Sequence, residues 1–492
     1  MHKKQDWIPI AWLISAASIW ILVVARLVVL RHNSFNTFDF DLGIHDQSLW
    51  LLAHGKWFNT VCGLHVFGHH AMFMYYFLVP LVWIGAGPHT WNVLQVVAVG
   101  LSSIPIFLIA RNRLANSSIA NIFGIIWLLL PSTTYLAFET FHPETMAIPF
   151  LLMAYHRCTV RTVSGKFQFD RHNFITILWL LAAMLWKEDI ALAVMGIGVM
   201  MLCTRKRIFG LIVLSLSTAY FIIIAMWLVP HLAGSETAYG MLYGELGTTP
   251  SSVILNSLDK PSLFFARLSE NNAMGYLGQI TSPLAFLPLL APITLLIGLP
   301  QYFINILTKN DFTWSMMYHY QVIPSVAAIA ASIEGYVFIR KHAKPFARIW
   351  LCVLVISTCV SARSWGMMPF SDNPVPSSMF TERDVSGWHV ALRRIGPTDI
   401  VSAHYSFVPH ATHREIIYTF PNPWIKTNFL NSNDKYVETC LIKWIVVEDG
   451  SLGTEAKNLL STLLTNGTFG EAQSSGGVTS YKYTGPACNG GR

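Results

Sequence analysis

The chain has 492 residues, of which 53% are hydrophobic, 13% aromatic and only 12% charged, with a formal net charge of +7. Soluble domains carry about 25% charged residues, so this composition excludes an ordinary soluble protein. Apolar runs of about 15 to 25 residues, with no period-two alternation, exclude a β-barrel and specify a polytopic α-helical membrane protein; the positive balance then belongs to basic loops at a membrane rather than to a nucleic-acid surface.

The first span, 10–30, follows Lys3 and Lys4 and has no small-residue cleavage site behind it, so it reads as a span and not as a signal peptide. The first loop, 31–90, opens with "FNTFDFDLGIHDQSLW", which holds Asp39, Asp41, His45 and Asp46. Within this loop the apolar stretch 71–85 is short and broken by Pro80, which predicts a half-inserted or interfacial helix. Crossings follow at 91–110, 118–136, 144–156, 174–187, 189–204, 208–230, 320–339 and 346–362. Between them, 282–308 contains Pro283, Pro288, Pro292 and Pro300, and parity favours two short passes there. The total is a bundle of about 9–11 transmembrane helices.

Basic residues cluster at Lys3/Lys4, Arg111/Arg113, Arg157 to Arg171, Arg205 to Arg207 and Arg340 to Arg348: fifteen Lys and Arg against two acids. Assigning all five clusters to the cytoplasm gives a multi-pass plasma-membrane protein with a cytoplasmic N-terminus. The bundle occupies 1–362, and 363–492 is polar. "DIVSAH", "REIIYTF" and "KWIVVEDG" read as strands and "GTEAKNLLSTLLTNG" as a helix, which predicts a soluble extracytoplasmic α/β domain. The seven cysteines are scattered and without CxxC spacing, so neither a disulfide framework nor a cysteine metal site is assigned.

With this topology the unusual polar residues collect at one end of the bundle. They are Asp39, Asp41 and Asp46; His65, His69 and His70; Glu139, His142 and Glu144 in "FETFHPE"; Lys187, Glu188 and Asp189 in "WKEDIAL"; and Tyr318, His319 and Tyr320. Singly, each has an ordinary explanation as a solvated acid or a packing histidine. Separated clusters on one face, in a chain this poor in charge, specify a shared outward-facing cleft. Trp50, Trp57, Tyr75, Tyr76 and Trp91 read as an interfacial aromatic belt.

The motifs "FDLGIHDQSLW", "HAMFMYYFLVPL", "FHPETMAIPFLL", "WKEDIAL" and "YHYQVIPSVAAIAASIEGY", with the C-terminal "VSAHYSFVPHATHREIIYTFP", resemble the DUF2079 family of membrane proteins. That family is in turn similar to the GT-C glycosyltransferases. The resemblance implies sugar transfer from a polyprenyl-phosphate donor to an extracytoplasmic acceptor: a cell-envelope glycan, a lipid or a protein. It also implies that an acid of the first external loop activates the acceptor.

On that reading Asp41 is the general base, and Asp46 orients the acceptor or binds a metal. Lys187 meets the lipid phosphate, aided by His70, His142 or His319, with Glu144, Glu188 and Asp189 in the same binding set. A divalent cation (Mn, Zn or Mg) is a candidate cofactor, with Asp39, Asp41, His70 and His142 as its ligands. The competing readings are a transporter or flippase of a lipid-linked or anionic substrate, and a receptor using its C-terminal domain. An intramembrane metalloprotease is disfavoured because HExxH is absent.

Overall fold

The computed structural model describes residues 7–160, 170–204, 206–234, 240–376, 384–426 and 436–488. Lys3, Lys4, Arg205 and the middle of the 157–171 basic segment lie outside the described residues. Among the described residues, five helices are long and apolar enough to cross a membrane: Ile8–Asn33, Pro88–Leu114, Arg207–Ala233, Asp311–His342 and Lys344–Trp365. Ser117–Leu129 and Pro131–Phe138, bent by 53° at their junction, make a sixth. Pro131 opens the second half, where its missing N–H leaves no internal bond unmade.

Counted by length and apolar composition alone, among the described residues, this is fewer than the 9–11 expected. The segments at 144–156, 174–187 and 189–204 form helices Ile148–Thr159, Arg171–Met184 and Ile190–Leu202, of 12, 14 and 13 residues. A single crossing needs about 20. The two passes expected in 282–308 do not form either. Ser282–Leu284, Leu287–Leu290, Pro292–Leu295 and Leu299–Ile306 are four short helical pieces, each with a proline at its start. Ala285 and Phe286, between the first two, take left-handed backbone angles. The turn at Leu287 lies so close to the Asp311–His342 span that a side chain at Gly335 would collide with its backbone. Irregular backbone at this depth is tolerated because protein covers it. The Asp311–His342 span is the centre of the bundle, with 83% of its apolar 18-residue stretch buried, whereas in Ile8–Asn33 the share is 28% and Trp12 and Leu22 are exposed. In the first loop, Tyr75–Trp83 is a nine-residue helix containing Pro80, too short to cross, as expected.

The C-terminal region carries a five-stranded sheet. Strands are numbered after the two-residue hairpin of the first loop, β1 (Phe58–Asn59) and β2 (Leu64–His65): β3 (Val401–Ala403), β4 (Ile417–Thr419), β5 (Trp444–Glu448), β6 (Phe469–Ser475) and β7 (Val478–Tyr483). The order is β4-β3-β5-β7-β6, parallel through β4, β3 and β5 and antiparallel beyond. The period-two alternation of β5 sends its residues to two cores. Trp444 and Val446 join Trp388 and Ala391 of the Ser386–Arg394 helix, together with Phe35, Ile44, Val61 and Leu64 of the first loop. Ile445 and Val447 face Leu460 and Leu463 of the Thr454–Thr465 helix. One face of the sheet is therefore completed by the loop that follows the first span. Cys440 and Cys488 form a disulfide, which corrects the expectation of none: 48 residues of sequence separate two cysteines that the fold brings to a Cα distance of 5.5 Å.

Candidate active site

Asp41 sits on a single π-helical turn, Asp39–Gly43, that leads into helix Ile44–Ala53. Such turns are rare and collect at functional sites, because the wider ring re-aims one side chain. The Asp41 side chain is about one-third exposed and lines a cavity of about 510 Å³. Its Oδ1 lies 3.2 Å from His142 Nε2. His142 Nδ1 is 2.7 Å from the Thr140 carbonyl. A carbonyl accepts only, so Nδ1 carries hydrogen and Nε2 faces the carboxylate.

The cluster extends from this pair. His142 stacks on His319 with ring centres 3.8 Å apart. His319 Nδ1 is 3.1 Å from Glu139 Oε1, and its Nε2 is 3.7 Å from Glu144 Oε1. Glu144 Oε1 accepts from Lys187 Nζ at 2.7 Å, and Lys187 Nζ is 3.5 Å from Asp189 Oδ2. Glu188 accepts from His70 Nδ1 (2.7 Å) and from the Ala71 N–H (2.9 Å). Five separated segments thus contribute to one charged wall.

Burial alone would neutralise these groups. For Asp41 burial is outweighed by His142, His319 and His45, which hold its carboxyl below the usual range. Burial pushes His142 down, but Asp41, Glu139 and Glu144 carry it up to about 10, so it is an imidazolium at neutral pH. His45, whose Nδ1 is 2.8 Å from the Tyr75 hydroxyl, is pushed down to about 3 by burial and by the charge of His142. Lys187 and the His142 imidazolium together face five carboxylates: Asp41, Glu139, Glu144, Glu188 and Asp189.

The expected site residues divide. Asp41, His70, His142, Glu144, Lys187, Glu188, Asp189 and His319 all line the cavity. Asp46 does not. It is 0% exposed and turned toward the sheet, where Trp91 Nε1 donates to Oδ1 at 2.7 Å, Thr412 Oγ1 donates to Oδ2, and His413 Nε2 lies 3.3 Å from Oδ2. Three partners leave it nothing to offer an acceptor. The proposed metal set of Asp39, Asp41, His70 and His142 does not assemble either. Asp39 accepts from Thr419 Oγ1 at 2.5 Å and His70 is held by Glu188, while Asp41 and His142 meet each other. Glu139, His142 and His319 do offer ligand atoms all within 4.8 Å of one another.

Sequence reasoning passed over the residues that hold this wall in place. Gln95 Oε1 accepts from the His142 N–H (2.6 Å) and Thr145 Oγ1 (2.8 Å), and its Nε2 donates to the Leu136 and Glu139 carbonyls, both at 2.9 Å. Asn92, one turn earlier, accepts from the Phe141 N–H at 2.9 Å. The signal was present: two amides three residues apart in an otherwise apolar span are costly unless bonded.

The profile of a family described as "Predicted membrane protein (DUF2079)" matches residues 31–479. The chain belongs to the DUF2079 family. Among solved structures, ArnT from Cupriavidus metallidurans bound to undecaprenyl phosphate matches over 96% of this chain and 98% of its own, at 10% identity and a TM-score of 0.53. ArnT in the apo state covers 95% and 98% at 12% identity and a TM-score of 0.48. The oligosaccharyltransferase of Archaeoglobus fulgidus in complex with Zn and sulfate covers 94% of this chain and 73% of its own, at 12% identity and a TM-score of 0.42. No curated protein matches. At these identities the likeness is one of fold, carried by the lipid-bound ArnT structure. This DUF2079 protein therefore has a GT-C-like membrane fold with a small C-terminal sheet region.

Proposed function

We propose that this DUF2079 protein is a glycosyltransferase that moves a sugar from a polyprenyl-phosphate donor to an extracytoplasmic glycan, lipid or protein. The observation that carries this reading is the two-part wall of one cavity. The charged cluster lines it together with Phe221, Val229, Val253, Ile254, Phe303 and Ile304. An amphiphile with an anionic head and a long apolar tail is the ligand class such a wall fits. The distribution of Lys and Arg supports a plasma-membrane protein with a cytoplasmic N-terminus, which puts the cavity and the sheet domain on the outer side.

In this reading Asp41 takes the proton of an acceptor hydroxyl as its oxygen attacks the anomeric carbon. The bond from that carbon to the phosphate oxygen breaks, and its electrons stay on the phosphate. Paired with His142, Asp41 is a weak base. An arriving phosphate offers His142 and His319 a second anion, which loosens their hold and returns Asp41 toward ordinary basicity. Lys187 and the histidines balance the charge on the leaving phosphate, and Glu144, Glu188 and Asp189 hold Lys187 in place. With five carboxylates in the wall, a phosphate gains from a further cation. Glu139, His142 and His319 would hold a divalent metal with Asp41 beside them, provided that His142 gives up its Nε2 proton to the solvent on binding; this donor set suits Zn or Mn better than Mg. Such a metal would supply electrostatic stabilisation of the leaving phosphate.

The proline-punctuated 282–308 segment, whose Leu299–Ile306 helix lines the cavity, also fits a transporter or flippase. One experiment separates the readings. Full-length protein is reconstituted in sealed vesicles with radiolabelled decaprenyl-phosphoryl sugars and a cell-envelope extract as acceptor. Transfer that is lost in Asp41→Asn supports the enzyme; lipid translocation without transfer overturns it.

A further inference from the structure

The cavity wall carries a second polar feature on the Leu299–Ile306 helix, apart from the charged cluster. Gln321 Nε2 donates to the Tyr276 hydroxyl oxygen at 2.9 Å. Asn305 Nδ2 donates to the same oxygen at 2.8 Å and to the Tyr320 carbonyl at 2.9 Å. Gln301 Nε2 donates to Asn305 Oδ1 at 2.8 Å. The Tyr320 carbonyl accepts only, so Asn305 must present its NH₂ there and its oxygen to Gln301. Gln301 must in turn spend its NH₂ on Asn305. The chain of amides therefore ends on Gln301 Oε1 as an acceptor.

That oxygen is buried and has no hydrogen-bond partner among the described residues, on a side chain that lines the cavity and is 4% exposed. Asp189 Oδ1, on the same cavity, is a second buried acceptor without a partner among the described residues. A buried acceptor left unpaired costs stability, so each requires a donor from a ligand or a water. The ionised phosphodiester of a polyprenyl-phosphate sugar has no hydrogen to give and is repelled by Asp189. An isoprenoid tail has none either. Hydroxyl groups on an uncharged ring satisfy both positions.

We infer that Gln301 and Asp189 form a hydroxyl-recognition shelf for the sugar ring of the donor, between Lys187 and the Leu299–Ile306 helix. This rests on the reading of the cavity as a polyprenyl-phosphate-sugar site and adds where the ring lies. The network behind Gln301 fixes its amide, so the shelf selects for a hydrogen donor at one ring position rather than for bulk.

The test uses the full-length protein in nanodiscs and compares decaprenyl phosphate with decaprenyl-phosphoryl mannose, glucose and arabinose. At least one sugar lipid is expected to bind more tightly than decaprenyl phosphate. Gln301→Leu, or Gln301→Met with its closer shape, lowers that advantage by about tenfold and leaves decaprenyl phosphate binding within about twofold. Monodeoxy forms of the preferred sugar make the same test on the unaltered protein: one of them loses about tenfold. If no sugar improves binding, or the advantage survives in the variants and in every deoxy form, water alone occupies the shelf and the inference falls. If decaprenyl phosphate itself does not bind, the reading of the cavity falls instead.

Discussion

Asp41 and Asp46 stand five positions apart on one loop and meet opposite fates. Asp41 is turned to the cavity and paired with His142, which lines the same cavity. Asp46 is sealed in the seam between the Pro88–Leu114 span and the C-terminal sheet, where Trp91, Thr412 and His413 satisfy it. The difference teaches that a carboxylate's role in a membrane protein follows from what pairs with it. A partner that can be released makes a reagent; partners fixed in a core make an anchor. The seam reaches further than Asp46: Gln47 donates to the Arg414 and Glu415 carbonyls, and Thr60 Oγ1 to the Ile417 carbonyl at 2.8 Å. The sheet grips the loop on both sides of the Asp41 turn.

The contrast is most sharply tested by removing each acid in turn. Asp41→Asn should lower sugar transfer by about 10²–10⁴-fold, with thermal unfolding near that of the unaltered protein. Equal losses of activity and stability would mean that Asp41 is an anchor too. Asp46→Ala strands two buried donors, Trp91 Nε1 and Thr412 Oγ1, together with the exposed His413, and should cost about 3 kcal/mol of stability, read as a lower midpoint in detergent. A variant that folds normally yet is inactive would return Asp46 to the chemistry.

Lys187→Met removes the ammonium that Glu144 and Asp189 share beside the cavity. Decaprenyl phosphate binding should weaken by about tenfold or more, and added salt should narrow the gap between variant and parent. Identical binding would exclude Lys187 from the phosphate site.

The seam also predicts a pH dependence. Burial alone would lower the His413 pKa, but its bond to Asp46 raises it. The folded state therefore binds this proton more tightly than the unfolded chain does. The stabilisation is complete below about 6.5, the unfolded histidine value, and is lost as pH rises through the higher folded value. The melting temperature should fall more over that alkaline window in the parent than in His413→Gln, and equal slopes would remove the pair from the seam's energetics. The smallest effect belongs to Thr419→Val, which takes away one hydrogen bond to Asp39 and should cost about 1 kcal/mol.

Much of the architecture is written in hydropathy. The long spans, the short helix at Pro80 and the polar C-terminal region follow from run length, proline position and composition. The site is partly written there too, since "FHPE" and "WKED" are conspicuous in a chain with so few charges. Gln95 and Gln301 were passed over because an uncharged amide in a span stands out only when its bonds can be followed. Cys440 and Cys488 were unreadable as a pair because no spacing rule joins two cysteines so far apart.

The sequence by itself determined that this chain lives in a membrane and concentrates ionisable residues near helix ends, because the hydrocarbon core penalises charge at every other depth. Only the tertiary structure decided which of two nearby aspartates meets the cavity, which short helices never reach full span length, and which amide keeps an unpaired oxygen. Those outcomes depend on which residues the fold brings together, whether four positions apart, as Gln301 and Asn305, or 366, as Asp46 and Thr412, and local patterning carries no record of which partner arrives.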